Sequence, residues 1–319
     1  MKEWIASRPN LIALALLSLW FAGLYSWSFD AKIDLNGDNV AYIALGKSLA
    51  QGSGYRIISE PNAPLDNHFP PGYPFLLSLL MRISDSLTFL KVANGLLFLL
   101  ALFLFYLLLR QLQWPFLLSL GTAMLLGANS HLLRYSTIVM SEIPFLTCSI
   151  ALFYLFSLSP QELSWKTPRF GAILLLVVAA IYLRTAGIAL LFGVLFHLIL
   201  SKQWKSGGIL LLGSLLLLLP WQLRSAGVPG DSYSSQLLMV NPYREELGTV
   251  GIPELWNRFI ANLARYIHAE IPSGMLPFFE VSYKGKFSEW MIGLLLIALV
   301  LWGLWKLPRG RSLVGGVLI

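Results

Sequence analysis

The chain has 319 residues, of which 56% are hydrophobic and only 12% charged, with a mean hydropathy of +0.69. Soluble domains carry roughly a quarter charged residues, so a water-soluble globule is excluded and an all-α polytopic membrane protein is expected. The single cysteine, Cys148, excludes an internal disulfide and a cysteine-based metal site, and the net charge of +7 has to be judged by where the charges fall. From the N-terminus, the apolar run Leu11 to Phe29 follows Lys2 and Arg8 and is too long for a signal-peptide core of about 7 to 15 residues. It reads as a first span with its N-terminus in the cytoplasm. Further spans are expected at 92–109, 114–133, 143–158, 170–183, 185–200, 206–220 and 290–305, eight complete in all. Leu313 to Ile319 then reads as the start of a ninth span that is cut short, so residues 1–319 are taken as one transmembrane domain with outside loops at 30–91 and 221–289.

Residues 170–200 would make one helix of about 46 Å at 1.5 Å per residue, with Arg184 at its middle. Charge favours two helices instead, because only a hairpin at Arg184 keeps Lys202, Lys205, Lys306, Arg309 and Arg311 on the cytoplasmic side. The cytoplasmic face then holds ten of the 23 basic residues and two of the 16 acids, a net +8, and the outside a net −1. Positive-inside bias thus accounts for the basic excess, and nucleic acid is not an expected partner.

Long polar stretches remain only at 30–71 and 221–289. In the first, Asp38 stands before a helix expected from Asn39 to about Gln51, ended by Gly52. Val40, Ile43 and Ala44, flanked by Ala41, Leu45 and Leu49, form an apolar stripe opposite Asn39, Lys47 and Gln51, as in a helix lying flat on a membrane surface. Spacing alone allows Asp38 to be a helix cap or a functional carboxylate. A stiff segment follows, His68-Phe69-Pro70-Pro71-Gly72-Tyr73-Pro74, and then Phe75 to Ile83, too short to cross about 30 Å and read as dipping in and returning. Glu142 opens an out-to-in helix, where the helix dipole alone would favour an acid. Arg184 sits at an intramembrane turn, where it either snorkels or serves function. His131 and His197 are expected to be structural. The second loop carries an amphipathic stretch, Leu255 to Ile267, read as an interfacial cover.

These residues resemble the GT-C glycosyltransferases, in the branch of protein O-mannosyltransferases and lipid A aminoarabinose transferases. The matching elements are Gly37-Asp38 with Tyr42, then Leu49-Ala50-Gln51-Gly52-x-Gly54-Tyr55, then Pro70-Pro71-Gly72-Tyr73-Pro74. Ser141-Glu142-Ile-Pro-Phe resembles the family's second acidic site, Arg184 lies where a cation often ends the fifth span, and Pro220-Trp221-x-x-Arg224 resembles its seventh-span exit. Some members carry Lys directly before the Pro pair; here Phe69 stands there, with His68 before it.

The resemblance implies a GT-C-like bundle in the plasma membrane with its site outside. It further implies a catalytic carboxylate at Asp38, with Glu142 as second acid, and a sugar donor hanging from a polyprenyl phosphate. Leaving phosphate needs a cation and the acceptor needs a base, so Arg56, His68, Arg134 and Arg184 are candidate phosphate contacts, with Tyr42 and Tyr73 lining the site. Asp38 and Glu142 are candidate ligands for a divalent cation, Mg or Mn. No Asp-x-Asp pair is present, which favours a lipid-linked donor over a nucleotide sugar. A transporter or flippase of lipid-linked glycans, or a non-catalytic assembly subunit, are the alternatives.

Overall fold

The computed structural model describes residues 8–34, 37–158, 163–228, 238–241, 244–276, 281–282 and 284–306. Among them the fold is all-α: there is no strand, and the extended pairings are two isolated antiparallel bridges, Arg56 with Leu65 and Met239 with Thr249. In chain order the helices are α1 (Arg8–Ser28), α2 (Asn39–Ala50), α3 (Gly72–Met81), α4 (Leu87–Gln111), α5 (Phe116–Gly127), α6 (Ser130–Ser136) and α7 (Glu142–Ser157). They continue with α8 (Pro168–Leu183), α9 (Ile188–Leu200), α10 (Trp204–Ala226), α11 (Ile252–Arg265), α12 (Ile271–Met275) and α13 (Phe287–Lys306). Two compact units divide the described residues, one falling within Met1–Ala128 and Leu132–Val228, the other within Asn129–His131 and Pro229–Gly310.

The first unit is built around α4. Apart from Lys91, Asn94 and its C-terminal Arg110 and Gln111 this helix is largely apolar, and its packed side is closed: Leu90, Phe98, Ala101, Leu102 and Tyr106 are all fully enclosed. Ala13 and Leu17 of α1 pack on Tyr106 and Leu107, while Phe21 meets the edge of Phe98 with centroids 5.5 Å apart. Tyr106 donates to Asn10 Oδ1 at 3.0 Å, which satisfies the amide that α1 buries. Ile143 and Ile150 of α7 close the same core. A second core joins Leu152 and Phe156 of α7 to Ile173 and Val177 of α8, Leu191, Val194 and Leu198 of α9, and Leu210 of α10.

Three helices, α1, α4 and α10, are long and apolar enough to cross a membrane, and α5 with α6, bent by 66°, makes a fourth if the pair counts as one span. The other expected spans are shorter apolar helices; sixteen residues of α7 or α8 rise about 24 Å, less than the roughly 30 Å of hydrocarbon. The break expected at Arg184 is present. Leu183 ends α8, Arg184 is extended at φ −152° and ψ 139°, and one 3₁₀ turn, Thr185–Gly187, leads into α9. Gly187 lies against the backbone of Ala180 and Ile181, and no side chain would fit between them.

In the second unit α11 continues through a π-helical turn, Tyr266–Glu270, into α12, and the turn packs on the start of α13. The terminal run Leu313 to Ile319 lies outside the described residues.

Candidate active site

Gly37 at φ +73° and Asp38 at φ −86°, ψ 4° form a turn before α2. A capping side chain needs an extended backbone at the cap residue, and Asp38 does not have it. Only its carbonyl serves the helix, accepting from Tyr42 N–H at 2.9 Å, and its carboxylate makes no cap hydrogen bond. The capping role is therefore corrected: Asp38 presents an exposed carboxylate at the mouth of α2.

The apolar stripe expected of α2 is corrected in part. The helix packs on α3, with Gly46 so close that a Cβ would stand 2.8 Å from Leu77 Cβ. Its buried residues are Asn39, Tyr42, Ala44, Leu45, Gly46 and Ser48, so Ala44 and Leu45 of the expected stripe are covered while Val40 is 39% exposed. Tyr42 decides the orientation, because its ring fits between Phe69 and Tyr73 with centroids 5.1 Å from each. Gly72, in turn, lets the start of α3 touch the end of α8. A Cβ there would lie 2.6 to 2.8 Å from the backbone of Tyr182 and Leu183, so the glycine of the Pro-Pro-Gly-Tyr-Pro segment is what brings this loop beside Arg184.

The third wall is the turn before α7. Asn94 of α4, 2% exposed, donates to the carbonyls of Ile138 at 2.7 Å and Met140 at 3.2 Å and accepts from Tyr73 O–H at 3.3 Å. This holds Ser141 and Glu142 in place. Ser141 Oγ lies 3.3 Å from the Tyr42 hydroxyl and accepts from Arg184 Nη1 at 3.1 Å. The same Arg184 nitrogen is 2.6 Å from Glu142 Oε1. Glu142 Oε2 is buried and has no hydrogen-bond partner among the described residues. Burial pushes the Tyr42 hydroxyl up to about 12, against the pull of its Ser141 hydrogen bond, and Asp38, Arg184 and Glu142 all lie near enough to act on it. Tyr42 is thus neutral at any ordinary pH and organises the site as a hydrogen-bonding group.

Asp38, Tyr42, Glu142 and Arg184 are therefore gathered, and Tyr73, 1% exposed, stands behind them as a support rather than as lining. The other expected phosphate contacts go elsewhere. Arg56 donates to the Ala63 carbonyl at 3.0 Å inside its own loop. Arg134 faces Asp34 at 3.6 Å in a separate open cavity of about 460 Å³, lined also by Asp30, Lys32 and Lys91. His68 stacks edge-on against Phe69 at 4.5 Å, one step removed from Tyr42. His197 is structural as expected, 4% exposed and 3.2 Å from Ser201 Oγ.

Sequence reasoning assigned no role to Ser141, Asn94 or Asp66. An amide inside the apolar run 92–109 is the signal that could have found Asn94. Asp66 is buried and accepts from Phe69 N–H at 3.0 Å; burial raises its carboxyl above the usual range, against those backbone hydrogen bonds. Arg224 of the α10 exit donates to the carbonyls of Asp66 and of Tyr55, the latter at 3.2 Å, and lies over the rings of Tyr55 and Trp221. Tyr55 passes the restraint on, donating to Phe69 O at 3.0 Å. So the Pro-Trp-x-x-Arg segment fastens the loop that carries Phe69.

Among the described residues no group of three or more His, Cys, Asp and Glu side chains could hold a metal ion. Two carboxylates alone suffice for a divalent cation only in the Mg²⁺ manner, where one or two are completed by water and substrate phosphate. No protein-family model, curated protein or solved structure matches the chain.

Proposed function

We propose that this chain is a polytopic membrane glycosyltransferase with a GT-C-like bundle. It moves a sugar from a polyprenyl-phosphate donor to a lipid, glycan or protein acceptor on the outer face of the plasma membrane. The observation that supports this most is the convergence of three distant segments, Asp38–Tyr42, Ser141–Glu142 and Arg184, on one exposed acid, one half-satisfied acid and one cation.

In this reading Asp38 takes the acceptor hydroxyl proton as the acceptor oxygen bonds to the anomeric carbon. The bond from that carbon to the phosphate oxygen breaks, with inversion, and the lipid phosphate leaves as an anion. Arg184 receives that charge, partly released from Glu142 as the phosphate forms the stronger, bidentate pair. Glu142 Oε2, buried and unpartnered, would meet the acceptor or a divalent cation only as Arg184 turns to the phosphate, and such a cation, when bound, would screen the phosphate charge. Tyr42, Ser141 and Tyr73 hold these groups in register.

The test is transfer of radiolabelled sugar from a panel of polyprenyl-phosphate sugars by the chain in liposomes. Label appearing in an acceptor is the expected result, and label crossing the bilayer while still on its lipid would favour the transporter instead. That second reading draws on the 66° bend between α5 and α6, since broken helices form transporter sites. The expected subunit reading has no such observation behind it.

A further inference from the structure

The second unit carries a surface that the proposed chemistry does not use. Around α11, at about 100° per residue, Leu255, Trp256, Phe259, Ile260, Leu263 and Tyr266 share an arc of about 140°. Glu254, Asn257, Arg258, Ala261 and Arg265 take the other side. No residue of α11 is buried; Trp256 is 63% exposed and Phe259 56%. Such a face suits either the interfacial plane of a bilayer or the groove of a partner protein.

How α11 is attached decides between them. It runs unbroken into the π turn, which is seated on the start of α13. His268 and Trp290 have ring centroids 5.2 Å apart, and Gly293 lies directly beneath the Ile267 carbonyl. Glu289, 1% exposed, accepts from Ser282 N–H at 2.5 Å, Ser282 Oγ at 2.7 Å and Lys286 N–H at 2.9 Å, which ties the chain before α13 into the same junction. Beyond it α13 is apolar, with Met291, Leu294, Leu295 and Leu299 exposed. An apolar helix enters lipid at its polar first turn, with aromatic residues at the boundary. Glu289 and Trp290 then mark the interface, and they hold the end of α11 at that level.

We infer that α11 is an in-plane membrane anchor, its Trp256–Phe259–Leu263 face sunk into the headgroup–acyl boundary of a lipid bilayer. It is held by apolar burial and not by charge. Arg258 donates to the carbonyls of Met239 at 2.6 Å and Val240 at 2.8 Å, and Arg265 pairs with Glu270 at 2.8 Å, so both guanidinium groups are engaged within the unit. The inference rests on the membrane reading proposed above and is independent of the transferase chemistry.

The test uses the full chain with Cys148→Ser and one cysteine at a time, Phe259→Cys, Ala261→Cys or Leu299→Cys, each carrying a fluorophore. Trp256→Cys replaces Phe259→Cys if that variant does not fold. Each is reconstituted in phosphatidylcholine vesicles bearing nitroxide lipids, shallow or deep in the acyl chain, with and without an anionic lipid. The label at 259 should be quenched by the shallow nitroxide several-fold more strongly than the label at 261, equally with and without anionic lipid, and the label at 299 by the deep one. Quenching at 259 by aqueous iodide as strong as at 261 would overturn the inference. Shielding of 259 from both quenchers would overturn it too and point to a protein partner, and quenching that grows with anionic lipid would overturn the burial claim. A label at 299 that neither nitroxide reaches would refute the membrane reading itself, and the anchor with it.

Discussion

Asn94 holds the turn that carries Ser141 and Glu142, and its replacement has a consequence that can be worked from the contacts. Asn94→Leu keeps the branched heavy-atom skeleton and removes both donors and the acceptor, so the Ile138 and Met140 carbonyls and the Tyr73 hydroxyl lose a partner together. A buried polar group without its partner costs about 1 to 3 kcal/mol. The two carbonyls keep a second lone pair, which places each at the low end, so the three groups sum to about 3 kcal/mol. Tyr73→Phe loses one neutral hydrogen bond, about 1 kcal/mol. The double variant should be destabilised by about 1 kcal/mol less than the sum of the singles, because no hydroxyl is left stranded. Unfolding in detergent, followed by circular dichroism, measures all three variants. An Asn94→Leu protein that unfolds with the parent, or strict additivity in the double variant, would refute the role given to this amide. Transfer should fall further than the folded fraction does, since misplacing a reacting group by about 1 Å costs about 10²-fold.

Gly72→Ala should destabilise by about 1 to 3 kcal/mol, because its Cβ meets backbone of Tyr182 and Leu183, whereas Gly121→Ala, with nothing within 4 Å, should be neutral or stabilising in the same melts. Arg184→Gln should lower sugar transfer by roughly 10²- to 10³-fold, the usual effect of removing one group that stabilises developing charge, and by more than Glu142→Gln does; the reverse order would contradict the phosphate role of Arg184. For Asp66 the folded carboxyl titrates above 3.8, so the stability tied to its neutral form is full below about pH 3.8 and is lost as pH rises through the folded value. Asp66→Asn, neutral throughout, should gain melting temperature relative to the parent as pH rises from about 4 towards neutrality, and a pH-independent difference would contradict the burial effect.

Much of the helical framework is legible in the sequence. Apolar runs gave α1, α4 and α10, Gly52 at φ +74° follows the end of α2, and charge asymmetry alone located the break at Arg184. What escaped it depends on partners far away in the chain. The face that α2 buries is set by Tyr42 fitting between Phe69 and Tyr73, which keeps Ile43 against the same core and leaves Val40 exposed. Asp38 does not cap α2 because the Gly37 turn leaves its backbone out of the extended region, and residue type alone cannot report that. Four cations looked equivalent as phosphate contacts, yet Arg56 is taken by a local carbonyl and Arg134 faces Asp34, while Arg184 pairs with Glu142. The spans expected at 143–158 and 170–183 match α7 and α8 to within two residues at each end, with Glu142 opening the first and Arg184 following the second.

Asp38→Asn tests the central proposal most directly. The side chain keeps its size and has no cap bond to lose, while the group that accepts a proton is gone. Transfer of radiolabelled sugar from polyprenyl phosphate, measured in liposomes beside each protein's melting temperature, should fall by roughly 10²- to 10⁴-fold, the contribution of a positioned proton acceptor, with the melting temperature unchanged. An Asp38→Asn protein that transfers sugar at the parental rate would contradict the assignment of Asp38 as the base.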